Sequence, residues 1–153
     1  MGRLKDLRKE VNRRLDQMED AEAKMGAAAH LYGVSLSATL LAKKRGVDVE
    51  LASMAAMLHD LYAYEKGTYE DHAHQGAILA REVLDKLSLT TEEETEAICH
   101  AIYCHDSKAE IDGPLDEVLK DADVCHHCFS DTSKAVKEKE KARYDALVLE
   151  LGL

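Results

Sequence analysis

The sequence contains few of the residues that build β-sheets. Its 153 residues include one Pro, no Trp and one Phe, and aromatic residues make up only 5%. Runs of β-branched and aromatic residues, which favour strands, are therefore hard to find. Ala, Leu, Lys and Glu are abundant instead, and all four favour helices. The length suits one domain with one core, so we predict a single all-α domain.

Features of membrane and exported proteins are also scarce. No apolar run approaches the roughly 20 residues that span a bilayer, and residues 1–17 are charged throughout, without an apolar signal core. The four Cys do not indicate a disulfide scaffold in a chain of this size. We therefore expect a cytoplasmic protein with reduced thiols and no membrane partner.

The charge is strongly unbalanced, with a formal net charge of −10 at pH 7. An acidic surface repels polyanions, so a nucleic acid polymer is not an expected partner. A small anionic substrate remains compatible with this charge, because a bound metal ion dominates the field around it.

Hydrophobic periodicity and end signals predict seven helices. They cover approximately residues 4–18, 20–46, 49–61, 69–87, 91–105, 114–129 and 133–151. The first has few apolar positions and should lie on the surface. Gly46 is a plausible C-cap, and Pro114 suits a first helical turn. A loop is expected around Gly67, and the charge run KAVKEKEKAR is interpreted as the solvated face of the last helix.

Histidine and aspartate side chains interrupt the apolar faces of these helices. Residues spaced by three or four lie on one helical face, which places His30 in the apolar stripe of residues 27–41. His59 lies in the stripe of residues 51–62, and Asp60 follows it directly. A lone His on an apolar face is usually a hydrogen-bonded core residue. A buried carboxylate, however, requires a partner, and a metal ion is one such partner.

Three further helices add candidates of the same kind. They are His72, His105 and Asp123. Imidazoles and carboxylates from five helices suit a borderline or hard divalent ion. Asp121 lies away from the stripe of its helix and is interpreted as a solvent-exposed acid, and His74 and His100 face away from the site.

The segment CHHC, from Cys125 to Cys128, raises the alternative of a zinc or redox site. Its two Cys share a helical face, but a zinc site needs four ligands, and the other two Cys do not form a second pair of that spacing. His126 points toward the core, and His127 lies one turn after Asp123. Either is a candidate for orienting a ligand or a substrate.

The order His, His-Asp, Asp resembles the signature of the HD superfamily of metal-dependent phosphohydrolases. The matching segments are His30 in AAAHLYGV, His59-Asp60 in AAMLHDLY, Asp123 in LKDADV, His72 in DHAHQGAILAREVL and His105 in AIYCH. The resemblance covers about residues 20–129. It implies an HD-type bundle of about six to seven helices, with a surface helix at 1–19, the HD domain at 20–130 and a C-terminal helix of the same domain at 131–153.

The resemblance also implies a metal centre with one or two divalent ions, of Fe, Mn, Co, Ni or Mg. The expected ligands of the first ion are His30, His59, Asp60 and Asp123. Asp60 is expected to bridge to a second ion, which His72 and His105 complete. The sequence has no GYP motif and no synthetase segment, so it is similar to the small stand-alone HD hydrolases.

The chemistry implied is attack of a metal-bound hydroxide on phosphorus. His59 and Asp60 are the expected catalytic residues, with Asp60 orienting the water or taking its proton. Lys108, and also Lys66, are candidates for binding the substrate, although a solvated surface lysine is the alternative for each. The loop 62–69 is rich in Tyr and is a candidate pocket wall or ordinary packing.

Three functions remain open at this stage. The first is hydrolysis of a small phosphorylated substrate, either a phosphomonoester or a phosphodiester, with nucleotides included. The second is oxygenase chemistry at a di-iron site. The third is a non-catalytic module that binds a metal or a small ligand. The sequence does not decide the oligomeric state, and a homodimer is left open.

Overall fold

The computed structural model describes residues 2–153, and in this range every regular element is a helix. The elements are α1 (Arg3–Leu15), α2 (Ala21–Arg45), α3 (Val49–Leu58), α4 (Leu61–Lys66), α5 (His72–Leu87), α6 (Glu92–Cys104), α7 (Pro114–Phe129), a 3₁₀ turn (Glu138–Glu140) and α8 (Lys141–Leu151). The prediction of an all-α fold is confirmed. The seven predicted helices are all present, and the short α4 is an additional one.

Several helix ends form where the local residues favour them. The Asp20 side chain accepts a hydrogen bond from the backbone N–H of Ala23 at the start of α2. Gly46 ends the same helix with φ +70°, a conformation that glycine adopts without steric cost. Thr91 and Glu94 form a reciprocal capping box at the start of α6.

The predicted third helix is wrong at its C-terminal end, because the chain breaks at His59 and Asp60. Helix α3 ends at Leu58, Asp60 has φ −114° and ψ 6°, and the chain becomes helical again at Leu61. Adjacent residues on an unbroken helix point about 100° apart. The break lets the side chains of His59 and Asp60 point toward the same place in the interior. The segment before Gly67, which was predicted to be a loop, forms the short helix α4 instead.

The predicted last helix also starts too early. Residues 130–137 have no regular secondary structure, and helix α8 begins at Lys141. The Asp131 side chain accepts hydrogen bonds from the backbone N–H and the hydroxyl of Ser133. Such local bonds offer the backbone an alternative to the helix. The charge run, residues 134–143, is therefore divided between an irregular segment, the 3₁₀ turn and the first turn of α8.

Helix α2 is the central helix of the domain. It packs against α3 and α7, and its buried residues include the polar His30 and Ser35. Contrary to the sequence-based expectation, α2 is long and apolar enough to span a membrane, judged by length and composition alone. Its contacts with the core account for part of that composition, since 44% of the apolar window is buried inside the structure.

The first and last helices pack on this core through one face each. Leu7, Val11 and Leu15 of α1 are buried, which agrees with a surface helix. Leu147 is the buried residue of α8. Arg143 fixes α8 to the chain after α6, because its guanidinium donates to the carbonyl oxygens of Lys108 and Glu110 at 2.8 Å.

Candidate metal centre

Four side chains from separate elements converge at one point in the interior. They are His30 of α2, His59 at the end of α3, Asp60 at the start of α4 and Asp123 of α7, and their candidate ligand atoms all lie within 4.8 Å of one another. His30 Nε2 is 3.1 Å from His59 Nε2 and 3.1 Å from an oxygen of Asp60. All four residues are buried, so the predicted convergence is present in the fold.

A second group shares Asp60 with the first. Asp60 Oδ1 lies 3.2 Å from His105 Nε2 and 3.5 Å from His72 Nε2. The other carboxylate oxygen, Oδ2, faces His30 and His59. Asp60 therefore has one oxygen in each group, which is the geometry of a bridging carboxylate.

Backbone carbonyl oxygens orient three of the imidazoles. The Nδ1–H groups of His59 and His105 donate to the carbonyl oxygens of Ala56 and Ile102, each at 2.6 Å. His72 Nδ1–H donates to the carbonyl oxygen of Tyr69 at 2.8 Å. With Nδ1 occupied in this way, Nε2 of each ring is directed at the carboxylates. This is how proteins commonly prepare histidine to bind a metal.

The donor set fits a divalent cation. Among the described residues, Asp60 Oδ1 and Asp123 Oδ1 are buried side-chain oxygens without a hydrogen-bond partner. Histidine nitrogens approach both oxygens, but not in hydrogen-bond geometry. An unsatisfied buried carboxylate oxygen is strongly unfavourable. An ion ligated by these oxygens and by imidazole nitrogens removes that cost, and mixed N and O ligands suit Mn, Fe, Co, Ni or Zn.

The electrostatics of the group agree with this fit. Burial raises the pKa of Asp60, but the charge of His59 and the neighbouring imidazoles of His105 and His30 hold it well below its usual value. Burial lowers the pKa of His59, but the charges of Asp60 and Asp123 raise it to about 10. The two carboxylates therefore favour a positive charge at this point, which a divalent ion also supplies. Burial also lowers the pKa of His105 and keeps that ring neutral.

The two lysines predicted to bind substrate do not face the site. The Lys108 side chain is 2% exposed, and its ammonium donates to Asp123 Oδ2 at 2.8 Å and to the His105 carbonyl oxygen at 2.6 Å. Lys108 is therefore neither a solvated lysine nor part of the cavity wall. It neutralises Asp123 and leaves Asp123 Oδ1 directed at the cluster. Lys66 is exposed and lies outside the cavity.

The interpretation of Asp121 as a solvent-exposed acid is wrong. Asp121 is 9% exposed, and it accepts hydrogen bonds from Arg45 at 2.7 Å and from Arg143 at 3.0 Å. It joins α2 and α8 to α7. The prediction failed because periodicity places a residue on a helical face but does not indicate which other helices cover that face.

An open cavity of about 640 Å³ leads to the cluster. Its floor includes His30, Asp60, His72, His105 and Asp123. Its rim includes Tyr64 and Tyr69, three lysines and two aspartates, namely Lys134, Lys137, Lys139, Asp106 and Asp131. The three lysines were missed because their segment was interpreted as a solvated helical face. Burial raises the pKa of Tyr64, so this side chain remains a phenol that can donate a hydrogen bond.

His126 supports His30 from outside the cluster. The two Nδ1 atoms lie 2.9 Å apart, so one ring donates to the other and the hydrogen bond directs His30 Nε2 toward the carboxylates. Burial and the neighbouring His30 lower the pKa of His126 to about 4. A Cβ at Gly33 would collide with the His126 ring. Glycine at position 33 therefore leaves the space that this ring occupies.

The other histidines and cysteines considered in the sequence lie apart from the cluster. His100 faces away from it, as predicted, and its Nδ1 lies 3.0 Å from a carboxylate oxygen of Asp116. His74 is likewise paired outside the cluster, with Asp71 at 2.9 Å. Cys125 and Cys128 are free thiols, and the described residues place no cysteine in a group with metal-binding geometry.

Comparisons with known proteins agree with the fold and identify the family. No curated protein is similar enough to this chain to count as a relative. The crystal structure of a predicted HD superfamily hydrolase from an uncultured Thermotogales bacterium superposes with a TM-score of 0.66 at 21% identity, over 98% of this chain and 89% of the other. That likeness concerns the fold. A family model of the HD domain matches residues 27–128, a range that contains both groups of the cluster. The chain belongs to the HD domain family.

Proposed function

We propose that the protein is a divalent-metal-dependent phosphohydrolase that cleaves a phosphoester bond in a small substrate. The observation that carries this proposal is the pair of buried carboxylate oxygens, on Asp60 and Asp123, that lack hydrogen-bond donors at the floor of an open cavity. A purely structural metal site is normally closed by protein ligands. A cavity that reaches the ligands instead favours access by a substrate.

The two groups that share Asp60 support a site for two ions. We propose His30, His59, Asp60 and Asp123 as ligands of the first ion, and Asp60, His72 and His105 as ligands of the second. Bound divalent ions acidify a water molecule and draw charge from a phosphoryl group.

The protein's own residues prepare the site for that chemistry. Asp60 holds the two groups together through its two oxygens, and its charge is available to orient a water molecule in the cavity. Lys108 compensates the charge of Asp123 from behind. In this proposal Lys108 acts on a ligand rather than on the substrate.

The rim supplies the positive charge that an anionic substrate needs. Lys134 and Lys139 lie 3.7 Å and 3.6 Å from Asp131 and Asp106. No ion pair within residues 2–153 engages Lys137. We propose that these lysines bind the phosphate oxygens of the substrate and attract small anions to the cavity. The chain as a whole has a net charge of −10, so its surface repels nucleic acid polymers. We expect the protein to act in the cytoplasm.

The test combines elemental analysis of the purified protein with an assay of phosphate release. Metal-free protein is loaded separately with Mn, Fe, Co and Ni and offered p-nitrophenyl phosphate, its bis ester and nucleoside phosphates. We expect metal-dependent phosphate release that His100→Ala retains, since His100 faces away from the cluster. Loaded protein that releases no phosphate would contradict the proposal. An iron-specific, dioxygen-dependent activity that Mn does not support would favour the oxygenase alternative.

A further inference from the structure

His127 and Glu140 form a pair at the edge of the cluster that the proposed ligand set does not use. His127 lies one helical turn after Asp123 on α7, and its Nε2 is 3.4 Å from Asp123 Oδ1. Its Nδ1 is 2.8 Å from Glu140 Oε2, and Glu140 is only 1% exposed. Candidate ligand atoms of all three residues lie within 4.8 Å of one another.

The hydrogen bond to Glu140 determines which nitrogen of His127 faces the cluster. A carboxylate oxygen only accepts, so the Nδ1–H of His127 is the donor. In the neutral ring, the Nε2 lone pair is then directed at Asp123 Oδ1, which is one of the two buried oxygens without a donor. The ring also stacks on His30, with centroids 5.2 Å apart and an interplanar angle of 10°, which holds it in this direction.

Two acceptors that face each other across 3.4 Å are unfavourable unless a positive charge lies between or beside them. We infer that His127 is an additional ligand of the ion at Asp123 and that Glu140 is the residue that positions it. This inference rests on the proposed metal centre. The combination of a buried carboxylate, an imidazole and a metal is a common way to fix the tautomer of a ligand and to increase its basicity.

The inference also gives the 3₁₀ turn at Glu138–Glu140 a role in metal binding. A buried carboxylate needs a hydrogen-bond donor, and for Glu140 that donor is the Nδ1–H of His127. The chain from Ser130 to Glu140 is therefore anchored to the metal centre at both ends. It is the same segment that presents Lys134, Lys137 and Lys139 to the cavity.

The experiment measures Co²⁺ binding to metal-free protein by chelator competition and records the visible absorption of the bound ion, whose intensity depends on coordination number. We expect His127→Ala to weaken Co²⁺ binding about 10- to 100-fold, the range for groups that support a metal site, and to change the spectrum. Glu140→Gln keeps an acceptor oxygen and should retain the spectrum. Glu140→Leu removes that oxygen and should reproduce part of the loss.

The matched control is His100→Ala, because His100 is also a histidine paired with a carboxylate, Asp116, at 3.0 Å. It should leave affinity and spectrum unchanged. If His127→Ala binds Co²⁺ like the wild type while His59→Ala binds it more weakly, the role of His127 is wrong and the metal centre stands. If the folded wild type binds no Co²⁺, Mn²⁺ or Fe²⁺, the metal centre itself is wrong. Circular dichroism verifies that each variant is folded.

An independent feature is the apolar outer face of α2. Met25, Leu36 and Leu40 on this helix are 73%, 62% and 60% exposed. Their spacing places them on one helical face, together with exposed Ala29. An acidic residue, Glu22, lies in the first turn, and Lys43 lies in the last. The face is therefore apolar in the middle and oppositely charged at its two ends.

This arrangement is complementary to itself when two copies of the helix run antiparallel and cross between Tyr32 and Gly33. The opposite pairs are then Glu22 and Lys43, Met25 and Leu40, and Ala29 and Leu36. We propose that a second copy of this chain covers the outer face of α2 in a two-fold dimer. Such an interface is closed, so it does not propagate into larger assemblies.

Sedimentation analysis over a range of concentrations tests this dimer. We expect a dimeric wild type, and a monomeric Leu36→Glu variant because it buries a charge in the apolar centre. Glu22→Lys alone and Lys43→Glu alone should each weaken the dimer, while the double exchange restores the opposite charges and should restore it. Ile111→Glu is the control, since Ile111 is apolar and 86% exposed at a different surface.

Three results would overturn the dimer. They are a wild type that stays monomeric at every concentration, a dimer that survives Leu36→Glu, and failure of the double charge exchange to restore what the single exchanges remove. Binding of the monomeric wild type to lipid vesicles, abolished by Leu36→Glu, would assign the face to a membrane surface instead.

Discussion

The floor and the rim of the cavity are built in different ways. The floor is formed by the metal-binding cluster, whose side chains lie on helices or at helix ends. His59, which belongs to the cluster but does not line the cavity, and His105 are 0% and 1% exposed. Backbone carbonyl oxygens hold both rings. The rim lysines are exposed and lie on a segment that is mostly irregular. We infer that the floor holds its ligand atoms in a fixed geometry, while the exposed lysine side chains of the rim can change position to contact a ligand.

The largest expected effect comes from removing a floor residue. His59→Ala and Asp60→Ala should sharply reduce metal content and lower turnover by about 10³-fold or more, since metal-dependent activation of water is lost. Metal content by elemental analysis and the rate of phosphate release measure the two effects. The His100→Ala variant should retain both. A metal-free His59→Ala protein with wild-type turnover would show that the floor does not perform the chemistry.

Within the floor, the two groups that share Asp60 should be separable. His72→Ala and His105→Ala remove ligands only from the second group, so we expect a loss of about one metal equivalent per chain and an activity reduced about 10²-fold. His72→Ala is the cleaner variant, because His72 is 11% exposed whereas His105 is 1% exposed. Full metal content and full rate in both variants would make the two-ion proposal wrong.

Lys108→Met tests whether the floor depends on charge compensation from behind. The variant leaves the buried Asp123 carboxylate without its ammonium partner, which should destabilise the metal-free protein by about 3–5 kcal/mol. Mn²⁺ should restore part of that stability, since the ion compensates the same charge. Urea unfolding with and without Mn²⁺ measures this difference. A Lys108→Met protein as stable as the wild type in metal-free buffer would argue against the role assigned to Lys108.

The smallest expected effect lies at the rim. Lys137→Ala should raise KM about 2- to 5-fold with kcat nearly unchanged, because an exposed charge contributes about 1 kcal/mol or less. Lys66→Ala is the matched control, since Lys66 is also exposed but lies outside the cavity. Steady-state kinetics at low and high salt separate the two lysines. If Lys137→Ala lowers kcat and leaves KM unchanged, the proposal that the rim binds substrate while the floor performs the chemistry is wrong.

The same difference explains what the sequence could predict. The floor residues lie in apolar helical stripes, so their periodicity indicated that His30, His59 and His105 face the interior. The same reasoning added Asp60, His72 and Asp123, and the resemblance to the HD signature then implied which of these residues share an ion. The helix break at His59 and Asp60 was not predicted, because the segment AAMLHDLYAY favours a continuous helix. Only the contacts of these two side chains with residues on other helices stabilise the break.

The contacts missed by sequence analysis are those between distant parts of the chain. Lys108 pairs with Asp123, and Glu140 pairs with His127, yet no spacing rule joins a residue on one element to a residue on another. The run KAVKEKEKAR has a composition that favours helix. Burial of Glu140 and the turn at Asp131 override that local preference, and this is why the rim lysines were assigned to a solvated helix.

Asp60 belongs to both groups of the cluster, and the residues around it come from widely separated parts of the chain, from His30 to Asp123. A bound ion would therefore act as a non-covalent cross-link that fastens four helical elements at one point. Because only the folded chain assembles these ligands, the melting temperature should rise with the concentration of free metal, by mass action. The stability of the folded protein in a cell would then depend on the concentration of the free metal ion.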